Sequence, residues 1–177
     1  MIIIEENKQK EQGNIMERTD KINYYLDIAE TVTSRSTCMR RKYGAIIVTN
    51  DEIVATGYNG APRGRKNCMD LDFCTRDHLN IPSGERYELC RSVHAEANAI
   101  ISAARRDMIG GTLYLSGINS KTGELLTDTT PCSMCRRQII NAGIERVICR
   151  VGRGKNDYTV TEVSEWIEND DSMPEIK

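Results

Sequence analysis

Two short motifs with metal-binding side chains stand at points where helices are predicted to begin. The first is "HAE", residues 94–96, which opens an apolar segment whose alanines and isoleucines recur at helical spacing. The second is "PCSMC", in which Cys132 and Cys135 follow a proline typical of a first helical turn. A carboxylate buried without a partner is costly. The fold must therefore expose Glu96 or place beside it a group that needs it.

Cys132, Cys135 and His94 together make a donor set for a catalytic zinc ion. The Cys-x-x-Cys spacing places both sulfurs on one face of a helical turn, where the helix dipole favours thiolates. Three protein ligands leave a fourth position for water, whose pKa zinc lowers, and Glu96 is the group to move its proton. The order H-x-E…P-C-x-x-C is the signature of zinc deaminases. The alternative is a core histidine, a solvated Glu96 and two inert thiols.

The composition favours a folded protein that acts without a membrane or a nucleic acid. The 177 residues are 39% hydrophobic and 28% charged, with a net charge of −2. No apolar run reaches the roughly 18 residues of a membrane span, and no basic stripe follows a nucleic-acid backbone. We expect residues 1–18 to be a flexible tail and residues 19–177 a single domain. The N-terminus lacks a signal-peptide pattern, so we expect a cytoplasmic protein with reduced cysteines.

The hydrophobic pattern predicts elements in the order α-β-β-α-β-α-β-α, which indicates an α/β fold with a mixed sheet and helices on both faces. The expected elements are a helix capped by Thr19 or Asp20, a hairpin turning at Asn50-Asp51, a helix over 93–107, a strand in "TLYLSG", a helix over 131–143, a strand in "IERVICRVG" and a helix in "VTEVSEWIEND". Residues 60–91 are predicted to be a long loop, which something has to hold in place.

The chain resembles the zinc-dependent cytidine and deoxycytidylate deaminase superfamily, and within it the deoxycytidylate (dCMP) deaminases of bacteria and phages. The similar stretches are "RSTCMRRKYGAIIV", "ATGYNGAPRG", "IPSGERYELCRSVHAEANAI", "GGTLYL" and "PCSMCRRQIINAGIERVI". This resemblance implies a cytidine deaminase-like fold, a three-layer α/β/α sandwich with a five-stranded mixed sheet. It also implies hydrolytic deamination of dCMP to dUMP with release of ammonia, in which Glu96 transfers protons to N3 and to the leaving amine.

The same resemblance implies binding roles for residues around the site. The residues expected to bind the substrate are Asn59, Ala95 and, for its phosphate, Arg40. Those expected to bind nucleotide effectors, with dCTP activating and dTTP inhibiting, are Tyr58, Gly60, Arg63 and Arg65. From the residues alone, Asn59 could equally stabilise a turn and the arginines could be solvated surface. Homo-oligomers, commonly hexamers, are a further implication.

Four of the seven cysteines are candidates for a second, structural zinc site: Cys38, Cys68, Cys74 and Cys90. Some deoxycytidylate deaminases carry a structural zinc in this region, and a closed tetrahedral site of this kind would hold the long loop. The alternative is four unpaired thiols. Cys149 is expected to be buried in a strand.

Two departures from the family pattern leave the substrate open. Residues 118–129, within "SGINSKTGELLTDTT", are an insertion predicted to lie near the mouth of the active site, and "RGKNDYTV" offers only Tyr158 as a closing aromatic residue. The alternatives are a tRNA adenosine deaminase, a deaminase of another nucleoside or nucleobase, and a zinc-binding module without catalysis. The acidic net charge counts against the tRNA enzyme, and the presence of Glu96 counts against the non-catalytic module.

Overall fold

The computed structural model describes residues 18–82 and 84–169, so the tail predicted over 1–18 lies outside the described residues except for its last member. The helices are α1 Lys21–Thr33, α2 Thr75–His78, α3 Ala95–Ile101, α4 Arg105–Met108, α5 Ser133–Ala142 and α6 Val163–Glu168. The strands are β1 Arg41–Thr49, β2 Glu52–Tyr58, β3 Thr112–Asn119, β4 Arg146–Arg150 and β5 Tyr158–Glu162. None of the described helices is long and apolar enough to cross a membrane.

The five strands form one mixed sheet in the order β2-β1-β3-β4-β5. Strands β3 and β4 are parallel, and every other neighbouring pair is antiparallel. The β1–β2 hairpin turns at the predicted position, where Asn50 and Asp51 have φ angles of 52° and 67°. Positive φ at both central residues is typical of the type I′ turn, which matches the twist of paired strands.

Helices cover both faces of the sheet, which confirms the predicted three-layer sandwich. On one face α1 packs Leu26 and Ala29 against Ile46 of β1. On the other face α3, α5 and α6 enclose a larger core, to which Ile139 of α5 and Trp166 of α6 contribute. Most of the buried apolar surface therefore lies on the side of the sheet that carries α3 and α5.

Two glycines allow the helices to approach the sheet closely on its opposite faces. A Cβ atom added at Gly44 of β1 would collide with the backbone carbonyl of Ala29 in α1. One added at Gly57 of β2 would collide with the carbonyl of Ala95 in α3. The three layers therefore depend on these two positions having no side chain.

Two helices have different bounds in the structure from those predicted from the sequence. The helix predicted over 93–107 is wrong in extent, because α3 ends at Ile101 and the separate turn α4 follows. The break lets Met108 turn back into the core, where 2% of it is exposed. The last helix begins only at Val163, because the preceding residues pair with β4 and form the fifth strand, β5.

The long 60–91 segment contains short helical turns and is anchored at both ends. Gly60 and Val93 exchange backbone hydrogen bonds, and Met69–Leu71, α2 and Tyr87–Leu89 are helical. The 118–129 insertion forms a hairpin, in which Ile118 pairs with Leu125. Cys149 is buried in β4 as expected, with 3% of its surface exposed.

We predict that Gly57→Ala lowers the free energy of unfolding by roughly 1–3 kcal/mol, because the added methyl group meets helix backbone that can move only by separating α3 from the sheet. Denaturant unfolding measures the effect. Thr56→Ala, at an exposed position of the same strand, is the control and should cost less than about 1 kcal/mol. Equal stability of Gly57→Ala and the parent protein would contradict the proposed close contact.

Candidate active site

His94 and Glu96 lie at the start of α3. His94 is the residue that caps the helix, and its carbonyl accepts a hydrogen bond from the backbone N–H of Asn98 at 3.0 Å. Glu96 lies in the first turn with 5% of its surface exposed, so it is not solvated. Burial raises the pKa of the Glu96 carboxyl group, because water that would stabilise its charge is excluded.

Cys132 and Cys135 lie at the start of α5. Cys132 caps the helix, and its carbonyl accepts a hydrogen bond from the Arg136 N–H at 2.9 Å. Cys135 follows in the first turn and is buried. The hydrogen bond from the Cys135 thiol holds the pKa of Cys132 well below its usual value, while the same pairing and burial raise the pKa of Cys135. One thiolate beside one thiol is the state expected of such a pair before a metal ion ionises both.

The three predicted ligands meet at distances that suit a zinc ion. His94 Nδ1 lies 3.4 Å from the Sγ atom of Cys132 and 3.4 Å from that of Cys135. The three donor atoms all lie within 4.8 Å of one another. A tetrahedral zinc with bonds of about 2.3 Å to sulfur and about 2.0 Å to nitrogen separates these donors by roughly 3.5 Å. The residues therefore fit zinc as they stand.

These groups open into a pocket that is lined by positively charged side chains. Glu96, His94 and Cys132 line it together with Tyr43 and the buried Ala95. The arginines that also line it are Arg40, Arg41, Arg76 and Arg91. A pocket with this lining suits an anionic substrate that presents a reactive carbon to the metal site.

The Asn59 side chain lies in the pocket wall and is held by three hydrogen bonds. Its Oδ1 atom accepts from Ser36 Oγ at 2.6 Å and from the Tyr43 N–H at 2.7 Å, and its Nδ2 atom donates to the Arg41 carbonyl at 2.9 Å. Asn59 thus joins the end of β2 to the start of β1. An amide nitrogen has two hydrogens, so one remains to meet a ligand.

Arg40 lies in the same pocket with an incompletely satisfied guanidinium group. Its Nε atom pairs with Asp77 of α2 at 3.2 Å. Its Nη1 atom is buried and makes no hydrogen bond within the described part of the chain. Buried donors without partners are rare, and this one is available to an anion in the pocket.

The residues expected to bind effectors do not line this pocket. Tyr58 ends β2, and Gly60 pairs with Val93. Arg63 and Arg65 are exposed on the following loop, and Arg65 lines a separate shallow depression with Leu89 and Arg91. The structure therefore places them beside the active site without bringing them to the metal-binding residues.

The four other candidate metal ligands approach one another but are not gathered as closely. Cys38, Cys68, Cys74 and Cys90 all line the active-site pocket. Burial, and then the neighbouring Cys38 thiol, raise the pKa of Cys68. Within residues 18–82 and 84–169, however, the set of three or more donors that lie within 4.8 Å of one another is His94, Cys132 and Cys135. A second zinc would require the four sulfurs to move closer together.

Sequence patterns did not point to several pocket residues of the 60–91 segment, among them Arg76 and Tyr87. Arg76 is 6% exposed and Tyr87 packs against His94, and both line the pocket. In the sequence they stand among many charged and polar residues of a segment predicted to be a loop. No local pattern distinguishes them, because their burial depends on contacts made across the segment.

Two cysteines, a histidine and a buried glutamate in one pocket are the arrangement found in zinc-dependent hydrolytic enzymes. Residues 19–151 match the family model described as "Cytidine and deoxycytidylate deaminase zinc-binding region". The chain belongs to this family.

Similar proteins of known name and similar solved structures support this family assignment. The chain is 38% identical over 138 residues to the deoxycytidylate deaminase of Mycobacterium phage D29, covering 75% of this chain and 96% of that protein. It is 31% identical to the deoxycytidylate deaminase of Schizosaccharomyces pombe, covering 78% of this chain but only 39% of that longer protein. The dCMP deaminase of cyanophage S-TIM5 matches in its apo form with a TM-score of 0.53 and 26% identity, covering 80% and 90% of the two chains. Its complex with dCMP and dUMP matches with a TM-score of 0.50 and 28% identity, covering 72% and 79%.

We predict that zinc binding and the Glu96 carboxylate can be separated by mutation. Cys132→Ala and Cys135→Ala should lose the zinc held with His94, because each removes one of three protein ligands. Glu96→Gln should retain it, because Glu96 is not one of the three donors. Elemental analysis of the purified variants gives the zinc content. Loss of this zinc from Glu96→Gln would mean that Glu96 is itself a ligand.

Proposed function

We propose that the chain catalyses hydrolytic deamination of dCMP to dUMP with release of ammonia. The observation that carries the proposal is the buried Glu96 carboxyl group beside the Cys132, Cys135 and His94 donors, in a pocket lined by arginines. The phage D29 and fission yeast relatives are named deoxycytidylate deaminases, and the S-TIM5 relative is a dCMP deaminase that binds dCMP and dUMP. These names support the choice of substrate.

In this reaction Glu96 carries the protons. A zinc ion held by His94, Cys132 and Cys135 would supply a water molecule of lowered pKa and the charge that stabilises the developing anion. Glu96 takes a proton from the attacking water and delivers it to N3 of cytosine as the water oxygen bonds to C4. It then takes the proton of the new C4 hydroxyl group and passes it to the amino group, so that the C4–N bond breaks, ammonia leaves and the C4 carbonyl of dUMP forms. Its raised pKa, caused by burial, suits a group that has to accept a proton and release it again.

We propose that Arg40 and Asn59 orient the nucleotide. The buried, unpartnered Nη1 atom of Arg40 is a donor suited to the substrate phosphate. The remaining Nδ2 hydrogen of Asn59 is suited to an oxygen of the sugar or base, while its other hydrogen bonds keep the amide in place. Ala95 lies against the same space without side-chain polar atoms. Such an arrangement favours a nucleotide over a free nucleoside.

We further propose that the enzyme is regulated and assembles as a homo-oligomer, with a hexamer as the expected form. Tyr58, Gly60, Arg63 and Arg65 are the residues proposed to bind dCTP and dTTP, since two exposed arginines suit a triphosphate. Exposed apolar side chains such as Ile53 on the edge strand β2 and Ile101 on α3 are surfaces that another copy would cover. Thiolate ligands favour a reducing compartment, which supports the cytoplasm.

A structural zinc bound by Cys38, Cys68, Cys74 and Cys90 also remains a proposal. Cys38 precedes β1, the other three cysteines lie in the 60–91 segment, and all four line one pocket. Four thiolates around zinc make a closed site that would restrain the 60–91 segment.

We predict that the zinc-replete protein converts dCMP to dUMP and ammonia. Chromatography measures the dUMP formed, first without effector and then with added dCTP. Deoxycytidine should be a poorer substrate, because it lacks the phosphate proposed to meet Arg40. Glu96→Gln should lower kcat by at least about 100-fold, since it cannot transfer protons. A protein that converts deoxycytidine as efficiently as dCMP, or that converts neither, would contradict the proposed substrate.

Arg40→Met tests the phosphate contact within the same assay. Losing a charged hydrogen bond should raise the KM for dCMP by roughly 10- to 100-fold and leave the KM for deoxycytidine unchanged. Arg106→Met is the control, because Arg106 is an exposed arginine on α4 that pairs with Asp107.

We predict that the parent protein holds two zinc ions per chain, one at His94, Cys132 and Cys135 and one at the four-cysteine site. Cys74→Ser should then remove one zinc ion and leave the other, with the thermal stability of the protein reduced. Cys149→Ala, at a buried cysteine of β4, serves as the control and should retain both. Elemental analysis showing one zinc ion in the parent protein would contradict the second site.

A further inference from the structure

The ring of Tyr87 packs directly against the metal-binding histidine. The centroids of the Tyr87 and His94 rings lie 4.8 Å apart, and the ring planes are nearly perpendicular, at 88°. This edge-to-face arrangement is a favourable geometry for two aromatic rings. Both rings line the active-site pocket. Tyr87 therefore bounds the space in which the imidazole could rotate.

The His94 ring has little else to hold its orientation. Metal-binding histidines generally donate their second ring N–H to a carboxylate, a carbonyl or a water molecule, which fixes the ring. In the described part of the chain, the hydrogen-bond contacts of the His94 ring are those of Nδ1 with the two cysteine sulfurs. No described protein group accepts from Nε2, so packing has to take over the orienting role.

Tyr87 is in turn held by Arg76. The Arg76 guanidinium carbon lies 4.5 Å from the centroid of the Tyr87 ring, a distance suited to a cation–π contact. Its Nη2 atom donates to the carbonyls of Pro82 and Glu85, and only 6% of the residue is exposed. Arg76 thus binds the backbone that precedes Tyr87 and at the same time packs on the Tyr87 ring, which keeps the ring in place.

We propose that Tyr87 is a positioning residue that holds the His94 imidazole in its metal-binding orientation, and that Arg76 fixes Tyr87 for this purpose. The ring acts through packing, and its hydroxyl group is not required. The 60–91 segment thereby controls the affinity of the site for zinc without providing a ligand to it. This role does not depend on which nucleotide the enzyme deaminates.

The test compares Tyr87→Ala with Tyr87→Phe in the full-length protein. Competition with a chromophoric chelator measures zinc affinity, and the absorption spectrum of the cobalt-substituted protein reports on ligand geometry. Tyr87→Ala should lower zinc affinity by roughly tenfold or more, alter the cobalt spectrum, and lower kcat for dCMP more than it changes KM. Tyr87→Phe should retain the zinc affinity and the spectrum. Arg76→Met should change both in the same direction as Tyr87→Ala.

Phe73→Ala is the matched control. Phe73 is an exposed aromatic residue of the same segment whose ring packs on His78 and not on His94. Its removal should leave zinc affinity and the cobalt spectrum unchanged. Tyr87→Leu, which keeps apolar volume without a ring, replaces Tyr87→Ala if that variant does not fold, and the same losses are expected of it.

Three outcomes would overturn the proposal. The first is parental zinc affinity and cobalt spectrum in both Tyr87→Ala and Tyr87→Leu. The second is a loss in Tyr87→Phe as large as that in Tyr87→Ala, which would assign the effect to the hydroxyl group. The third is an equal loss in Phe73→Ala, which would indicate general loosening of the segment. Because zinc and cobalt binding need no substrate, these results are independent of whether dCMP is deaminated.

Discussion

The close contact between strand β2 and helix α3 at Gly57 determines where the catalytic groups lie. Because Gly57 has no side chain, the backbone of α3 at Ala95 can rest directly on the strand. His94 and Glu96 flank Ala95, so this contact positions both of them. Helix α5 packs in the same core and brings Cys132 and Cys135 to the same place. The metal site is therefore formed where two helices begin side by side.

The same arrangement explains why an apolar helix carries a buried glutamate. Two cysteine thiolates and a carboxylate in one buried space would repel one another strongly. A divalent cation among them compensates that charge and makes the ionised forms stable together. Burial then gives Glu96 a raised pKa, which suits the proton transfer proposed for it. A group that would destabilise an ordinary core is thus placed where it can react.

The 60–91 segment contributes to the pocket lining, to the proposed structural zinc site and to the position of Arg40. It contributes Arg76 and Tyr87 to the pocket and three of the four cysteines of the proposed structural zinc site. Asp77 of α2 also pairs with Arg40, the residue proposed to meet the substrate phosphate. The conformation of this one segment therefore underlies both the metal affinity and the substrate recognition that are proposed for the site. The 118–129 hairpin contacts a different pocket arginine, because Asp128 pairs with Arg41 at 2.8 Å.

The sequence by itself determined the features that depend on neighbouring residues. The spacing of Cys132 and Cys135, the His94–Glu96 pair, and the turn at Asn50-Asp51 carry local signals, because backbone conformation and helical spacing decide them. The end of α5 at Gly143, where φ is 80°, was also predictable from the sequence, because glycine readily adopts the left-handed conformation that ends a helix.

Only the tertiary structure decided the features that depend on distant partners. Strand β5 exists because it pairs with β4, and α3 ends at Ile101 because Met108 returns to the core. Tyr87 packs against His94, and the Arg76 guanidinium group lies over the Tyr87 ring. Neither contact can be predicted from the local sequence pattern. The gathering of four cysteines around one pocket likewise required the folded chain. The physical reason is common to all of them, since burial and pairing are decided by residues that meet only after the chain has folded.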